Sequence, residues 1–242
     1  MRISVDTIYQ RVLALANKEQ RGYITPQEFN LFANLAQQEI FEQYFYDLNK
    51  VSVVPGNDTV FADVDDMLKE KLSIFEKIDS SDEGNTPSSY TAANDGIGLL
   101  LPSYIYRVSR VEFGGVECEM VPTKTWRDVI SYRGTLLGAS TSRPIVNIRD
   151  NIIKVEEGSD FESVPSAVYY FKKPQTVRWG YIVINKKALY NPASSISFNL
   201  HQSEESELVY KILKLAGVAL QKQDVAQIGQ GLDTNQQQQE KQ

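Results

Sequence analysis

The sequence predicts an α+β protein with an N-terminal helical hairpin and a C-terminal helix, packed with a central antiparallel β-sheet or small sandwich. Three observations lead to this prediction. Apolar residues recur at helical spacing at the start of the chain, β-branched and aromatic residues alternate around short turns in its middle, and helical spacing returns near its end. The 242 residues, of which 42% are hydrophobic and 23% charged, suffice for a sizeable core.

The patterns divide the chain into five segments. We predict a helical hairpin over 1–50, a mixed region with a helix and a mobile acidic loop over 51–98, an antiparallel β region over 99–200, a C-terminal helix over 201–222 and a polar tail over 223–242. The tail is too polar to bury itself, so we expect it to order only against a partner.

The clearest start signal belongs to a long helix from Thr25 to Leu48. Thr25 is a good N-cap, Pro26 suits the first helical position, and Glu28 is placed to complete a capping box. Apolar residues cover most of its circumference, so the helix needs cover on several sides. It is either a central core helix or one that also packs against neighbouring copies of the chain.

A shorter helix precedes it. Apolar residues from Val5 to Ala16 have helical spacing, Ser4 or Asp6 can cap them, and Gly22 closes the turn that follows. Helix, turn and helix predict an antiparallel hairpin.

Three elements are predicted between Val51 and Asp95. VSVV and TVFA, on either side of Pro55–Asp58, predict a short strand pair. The residues Met67–Ile78 predict a helix, and the polar, acidic stretch Asp79–Asp95 predicts an exposed, mobile loop.

From Leu99 onward the pattern changes to strands. A two-glycine turn at Gly114–Gly115 and the dipeptide Asp150–Asn151 each predict a hairpin. Between them, a short helix capped by Thr123 is predicted to end at Tyr132. Further strands are predicted at 167–171 and 179–184, and a last helix, with glutamates in its first turn and lysines later, at 203–221.

The sequence contains no complete catalytic or ligand-binding motif. The only histidine, His201, and the only cysteine, Cys118, have no recognisable nucleophile context, and Cys118 lies between outward Glu117 and Glu119 in a predicted strand, which favours a buried small hydrophobe. No zinc, calcium or phosphate-loop spacing is complete. We therefore predict a protein that is not an enzyme and has no cofactor and no metal.

Charge and hydropathy limit the partners further. The net charge of −6 argues against a surface that grips phosphate backbone, and no apolar run approaches the length that spans a bilayer. The first ten residues lack the features of a signal peptide, so we expect synthesis and assembly in the cytoplasm.

Several stretches, spread over most of the chain in a consistent order, resemble one family. They are GYITPQEFNLFANLAQQEIFE at 22–42, LPSYIYRVSRVEFGGVECEMV at 101–121, TKTWRDV, PIVNIRDNIIKV, YYFKKPQTVRWGY and ELVYKILKLAGVAL at 207–220. In these stretches the chain resembles the ring proteins, or head-to-tail connector proteins, of crAss-like tailed bacteriophages.

The resemblance implies a virion structural protein. Its subunits would form a closed ring, often twelvefold, between the portal and the tail, with neighbouring ring or tail proteins as partners and genomic DNA passing through without specific binding. It would lie in the connector of the virion and, during assembly, in the host cytoplasm. On this hypothesis we assign subunit contacts to Phe41, Phe45, Trp179 and Tyr181, and partner docking to Leu220, Val225, Ile228 and Leu232.

Two other functions stay open. Aromatic residues such as Tyr104 and Tyr169, interleaved with basic residues such as Arg107 and Arg110, are typical of a sheet that stacks single-stranded bases, which is the main alternative. The third hypothesis is a hydrolase built around His201.

Overall fold

The structure is a computed structural model that describes residues 3–18, 24–53, 59–80, 86–93, 98–158 and 164–219. The chain divides into two compact units: Met1–Ile74 with Pro174–Gln242 form the first unit, and Phe75–Lys173 form the second. The predicted α+β class is confirmed. Within the described residues, no helix combines the length and hydropathy needed to cross a membrane.

The helices are α1 (Val5–Lys18), α2 (Pro26–Val53), α3 (Thr59–Ser73), α4 (Thr123–Ser131) and α5 (Glu205–Ala219). The strands are β1 (Glu76–Ser80), β2 (Thr91–Ala92), β3 (Leu99–Leu100), β4 (Ile105–Phe113), β5 (Val116–Glu117), β6 (Glu119–Met120), β7 (Ile145–Arg149), β8 (Ile152–Glu156), β9 (Ala167–Lys172), β10 (Tyr181–Ile184) and β11 (Lys187–Tyr190).

The capping box at the start of α2 is confirmed. The Thr25 amide donates to Glu28 Oε2 at 2.9 Å, and the Glu28 amide donates to Thr25 Oγ1 at 3.3 Å. Hydrogen bonds from Thr25 lower the pKa of Glu28. Ser4 caps α1, since its Oγ accepts the Thr7 amide at 3.4 Å. Gly22 and residues 54–58 lie outside the described residues.

The strand pair predicted around Pro55–Asp58 is wrong in the parts that the structure describes, whereas the helix predicted from Met67 is confirmed as far as Ser73. The VSVV stretch continues α2 to Val53, and TVFA begins α3 at Thr59, because strand propensity is a weak preference that an established helix overrides. The helix predicted from Met67 to Ile78 ends at Ser73, and β1 begins three residues later.

Helices α1, α2, α3 and α5 build the first unit. Helix α5 packs against α1 and α2, and α3 packs against α2. Its largest fully buried side chains are Ile8, Phe29, Ile40, Phe41, Phe198, Leu200, Leu208 and Ile212. Helix α5 begins two residues later than predicted, because Gln202–Glu204 form a short 3-10 turn before it.

Two sheets build the second unit. One has the order β1-β9-β4-β5, and the other β2-β3-β8-β7-β6. One core cluster joins Val111 and Val168 of the first sheet to Val146 and Ile153 of the second, so the two sheets form a sandwich. Among the described residues, the strand pairs of these two sheets are antiparallel, as predicted, except β6 with β7, which is parallel.

The two predicted turns of the second unit are confirmed. Gly114 and Gly115 have φ of 57° and 80°, and Asp150 and Asn151 have φ of 52° and 61°. Left-handed values at both central residues match the twist of the flanking strands. The predicted cap of α4 is wrong: the N-cap is Pro122, and the Thr123 hydroxyl instead accepts from the Asn147 amide group at 3.3 Å.

The stretch predicted as an exposed loop contains four buried residues, Asp79, Pro87, Tyr90 and Ala93. Both oxygens of Asp79 accept hydrogen bonds from tyrosine hydroxyls: Oδ2 from Tyr90 and Tyr104, each at 2.8 Å, and Oδ1 from Tyr170 at 3.0 Å. Burial, with the Asp79 carboxylate adding to it, raises the pKa of Tyr104 to about 12 and that of Tyr170 higher still. Residues 81–85 and 94–97 of this loop lie outside the described residues.

Candidate interaction surface

Strands β10 and β11 form a hairpin in the first unit that was only half predicted. Tyr181 pairs with Tyr190 and Ile184 with Lys187, and among the described residues no third strand pairs with either. The turn residues Asn185 and Lys186 have φ of 50° and 62°. An asparagine between the apolar runs YIVI and ALY was the signal for this turn.

One face of this hairpin is apolar and open to solvent. Ile182, Ile184 and Leu189 alternate onto the same face and are 54%, 51% and 49% exposed. An isolated two-stranded hairpin has marginal stability in water. Three large aliphatic side chains that remain exposed to solvent contribute none of the free energy that their burial would provide. Such a face is typical of a surface that another protein covers.

Aromatic stacking holds the root of the hairpin. The Trp179 ring lies 4.4 Å from the Tyr9 ring, 5.9 Å from Tyr181 and 5.7 Å from Tyr190, measured between ring centroids. Its indole Nε1 donates to Asp6 Oδ1 at 2.9 Å. The hairpin is therefore anchored through a buried tryptophan to the first turn of α1.

Amide side chains of α2 hold the segment that leads into the hairpin. Asn34 accepts the Val177 amide at 2.7 Å and donates to the Val177 carbonyl at 2.9 Å. Asn30 does the same with Trp179, at 2.7 and 3.3 Å. Each asparagine thus satisfies both backbone groups of one residue, as a neighbouring strand would.

The repeat lengths explain why a helix can act in this way. Asn30 and Asn34 are about 6 Å apart along the helix axis, and alternate residues of an extended chain are about 6.6 Å apart. Gln37 continues the series by donating to the Gln175 carbonyl at 2.8 Å and accepting the Asn199 amide at 3.0 Å. We call the side chains of Asn30, Asn34 and Gln37 the amide ladder.

The residues predicted as subunit contacts lie in the first unit, most of them buried. Phe41 and Phe45 form an edge-to-face pair, and the chain itself covers both, as it covers Trp179. Tyr181 is half-buried at the hairpin root, where its hydroxyl lies 3.5 Å from Gln27 Nε2. Their role between subunits stays a prediction.

The residues predicted for partner docking, Leu220, Val225, Ile228 and Leu232, lie outside the described residues. The exposed apolar residues of the hairpin were not predicted as contacts. Their alternation is visible in the sequence. Because the turn at Asn185–Lys186 was not predicted, the second strand of the hairpin was not predicted either.

The aromatic and basic residues proposed for base stacking do not share one sheet. Tyr104, Tyr106, Tyr169, Tyr170, Phe171, Arg107, Arg110, Lys172 and Lys173 lie in the second unit, and Trp179, Tyr181 and Arg178 in the first. On the second unit, the Arg110 guanidinium already lies over the Tyr169 ring, 4.2 Å from its centroid, and pairs with Glu112.

The remaining candidate groups have structural roles. His201 Nδ1 accepts the Ser203 amide at 3.3 Å and so caps the turn before α5. Burial raises the pKa of the Cys118 thiol to about 11, which leaves it protonated at neutral pH. Among the described residues, no group of three or more histidine, cysteine or acidic side chains is placed to hold a metal ion.

Comparison of the chain with protein families and with curated proteins finds no match.

Proposed function

We propose that this chain is a structural subunit of a homo-oligomeric ring, and that the ring belongs to the head-to-tail connector of a tailed bacteriophage. The observation that supports the ring is the exposed apolar face of the β10–β11 hairpin. A hairpin that is anchored at its root and has three solvent-exposed aliphatic residues on one face suits an interface between subunits better than it suits an isolated monomer.

The connector assignment rests on the sequence resemblance. The ring would lie between portal and tail in the virion, with the portal and a neighbouring ring or tail protein as partners. Twelvefold symmetry would match the portal. The chain would act by mechanical contacts alone, which agrees with the structural roles of His201 and Cys118.

The mass of the purified native protein tests the ring. We expect light scattering on a sizing column to give a multiple of the 27.4 kDa chain, and images of that species to show closed rings. If the protein is a monomer alone, the measurement is repeated with the portal protein present. A monomer in both conditions would contradict the proposal.

A pair of variants tests the surface. Ile182→Ser with Leu189→Ser removes apolar contact area from the hairpin face and should lower the assembled fraction at least about tenfold. The matched control is Leu15→Ser, which makes the same change at an exposed position of α1 and should assemble like the wild type. Circular dichroism checks that both variants fold.

The alternative function, a nucleic-acid-binding module, has less support. Base stacking needs an open aromatic face, whereas Tyr169 lies under Arg110, and Glu112 offsets the charge of that arginine. Binding of single-stranded DNA with a steep salt dependence would favour this alternative.

A further inference from the structure

A second exposed surface of the first unit complements the hairpin. The outer face of α2 presents Leu31, Leu35 and Tyr46, which are 71%, 48% and 64% exposed. Glu39 and Glu42 are exposed between Leu35 and Tyr46 on the same side of the helix. We call these five residues the acidic helix face.

The hairpin has the opposite charge. Its tip consists of Asn185, Lys186 and Lys187, all exposed, next to the apolar face formed by Ile182, Ile184 and Leu189. The same chain therefore carries two complementary surfaces. The hairpin is apolar with a basic tip, and the acidic helix face is apolar with two glutamates between its apolar residues. Complementary charges fix the register of such contacts and reject wrong ones.

The spacings of the two surfaces agree. Leu189 and Lys187 are two strand residues apart, about 6.6 Å, and Leu35 and Glu39 are four helical residues apart, about 6 Å. Lys186 lies in the turn next to Lys187, and Glu42 lies one turn beyond Glu39 on the same side of the helix. Seating Leu189 on Leu35 would therefore bring Lys187 to Glu39.

The hairpin does not cover this face of its own chain. It contacts α2 near the helix N-terminus, where Gln27 Nε2 lies 3.5 Å from the Tyr181 hydroxyl and Asn30 donates to the Trp179 carbonyl. Farther along the helix, Leu31 and Leu35 stay exposed, as do the hairpin residues themselves. The two surfaces are thus free to meet on different copies of the chain.

From these observations we propose that the β10–β11 hairpin of each subunit docks on the acidic helix face of the next subunit. The contact joins two different surfaces, so every added copy offers a new hairpin and a new helix face, and a constant rotation closes the series into a ring. This inference rests on the proposed ring, for which it specifies the contact.

Charge exchange tests the contact. One variant carries Lys186→Glu and Lys187→Glu, and the other carries Glu39→Lys and Glu42→Lys. Alone, each variant places like charges across the contact, so we expect its assembled fraction to fall at least about tenfold. Mixed in equal amounts, they restore opposite charges at every contact between a hairpin of one variant and a helix face of the other, so assembly should recover in part.

Disulfide cross-linking detects the same contact and does not require a complete ring. A Lys187→Cys chain and a Glu39→Cys chain, mixed and oxidised, should give a disulfide-linked dimer of one of each. The native Cys118 does not compete, because it is buried and its thiol pKa is raised. The control pairs Lys187→Cys with Leu15→Cys, which should stay unlinked.

The outcomes separate the two proposals. If the wild type forms rings but both charge variants also assemble alone, and the Lys187→Cys and Glu39→Cys chains do not cross-link, this contact is wrong and the ring stands. If the wild type forms no oligomer either alone or with portal, the ring itself is wrong. Recovered assembly in the mixture together with the specific link supports the contact.

Discussion

Asp79 is held by tyrosine hydroxyls from three separate stretches of the chain, two of which lie 25 and 91 residues away. The carboxylate is buried together with these hydroxyls, so each of the three depends on it as an acceptor. Removal of a shared acceptor leaves several buried donors without a hydrogen bond, which costs more than the loss of one hydrogen bond.

We therefore predict that Asp79→Ala lowers the free energy of unfolding by roughly 3 kcal/mol, and that Tyr170→Phe, which removes one of the three donors, lowers it by about 1 kcal/mol. Urea denaturation measures both. Tyr132→Phe, at an exposed tyrosine of the same unit, is the control and should unfold like the wild type. An Asp79→Ala protein as stable as wild type would contradict this role.

Glu204 and Glu207 behave oppositely on titration at the start of α5. Burial, with the Glu204 carboxyl adding to it, raises the pKa of Glu207 to about 7. Burial also acts on Glu204, but the Lys71 ammonium, 2.6 Å away, outweighs it and lowers the pKa of that carboxyl. The folded chain thus keeps a proton on Glu207 that the unfolded chain releases near pH 4.5.

This difference predicts that stability falls as pH rises from about 4.5 to about 7, because the folded state binds more protons in that window. Glu207→Gln should remove this fall, which is worth up to about 3 kcal/mol. Thermal unfolding at pH 5 and pH 8 measures it, with exposed Glu70→Gln as the control. The contribution of Glu204 is lost only below pH 4.5, so it leaves this window unaffected. A Glu207→Gln protein with the wild-type pH slope would argue against the shift.

Through the amide ladder, α2 forms the backbone hydrogen bonds with the segment before the hairpin that a neighbouring β-strand would otherwise form. Asn34 is the clearest member, since it bonds both backbone groups of Val177, which is buried. Its removal leaves an amide and a carbonyl of the hairpin root without partners.

We predict that Asn34→Ala destabilises the first unit by about 2 kcal/mol and increases hydrogen exchange at Val177 and Trp179. Exchange measured by mass spectrometry detects the change. Gln38→Ala, at an exposed amide of the same helix, should leave exchange at these two residues unchanged. Equal protection in the Asn34→Ala protein would show that the ladder does not hold this segment.

Elements defined by neighbouring residues were predictable. The capping box at Thr25 and the turns at Gly114–Gly115 and Asp150–Asn151 need only local geometry. Burial of Asp79 and the pairing of Asn34 with Val177 were not predictable, because both depend on partners 91 and 143 residues away that no local pattern specifies. At 51–53 the reason is different: the preceding helix continues through residues whose strand propensity is only a weak preference.

The interaction surface was predicted in part. The sequence pointed to α2 and to the neighbourhood of Trp179 and Tyr181, but it selected large aromatic residues, which fill cores as readily as interfaces. The exposed aliphatic residues of the hairpin became visible only when the turn at Asn185–Lys186 placed them on one face.

Considered as a ring, the molecule has a net charge of −6 for each subunit. We predict that purified rings do not retain double-stranded DNA at low salt, because the net negative charge of every subunit repels the phosphate groups. A filter-binding assay at about 20 mM and about 200 mM salt measures retention, with a basic DNA-binding protein as positive control. Retention at low salt that disappears at high salt would contradict this prediction.

The segment after α5 is predicted to dock on a partner protein. Truncation after Gln221 removes Val225, Ile228 and Leu232, and we expect it to leave folding intact while it weakens assembly with the adjacent connector protein. Co-sedimentation of the truncated and full-length chains with that protein measures the difference. Equal co-sedimentation would contradict a docking role.

The pairing of β1 with β9 has a consequence for the history of the chain. It sets Glu76 opposite Phe171, so the second unit begins and ends at adjacent points, and the first unit is interrupted only once along the sequence. A module with neighbouring ends can be gained, lost or exchanged by recombination without breaking the host domain. A chain that keeps 1–74 and 174–219 but replaces the interval with a short linker should therefore still fold its first unit, and the sandwich is a natural place for grafting.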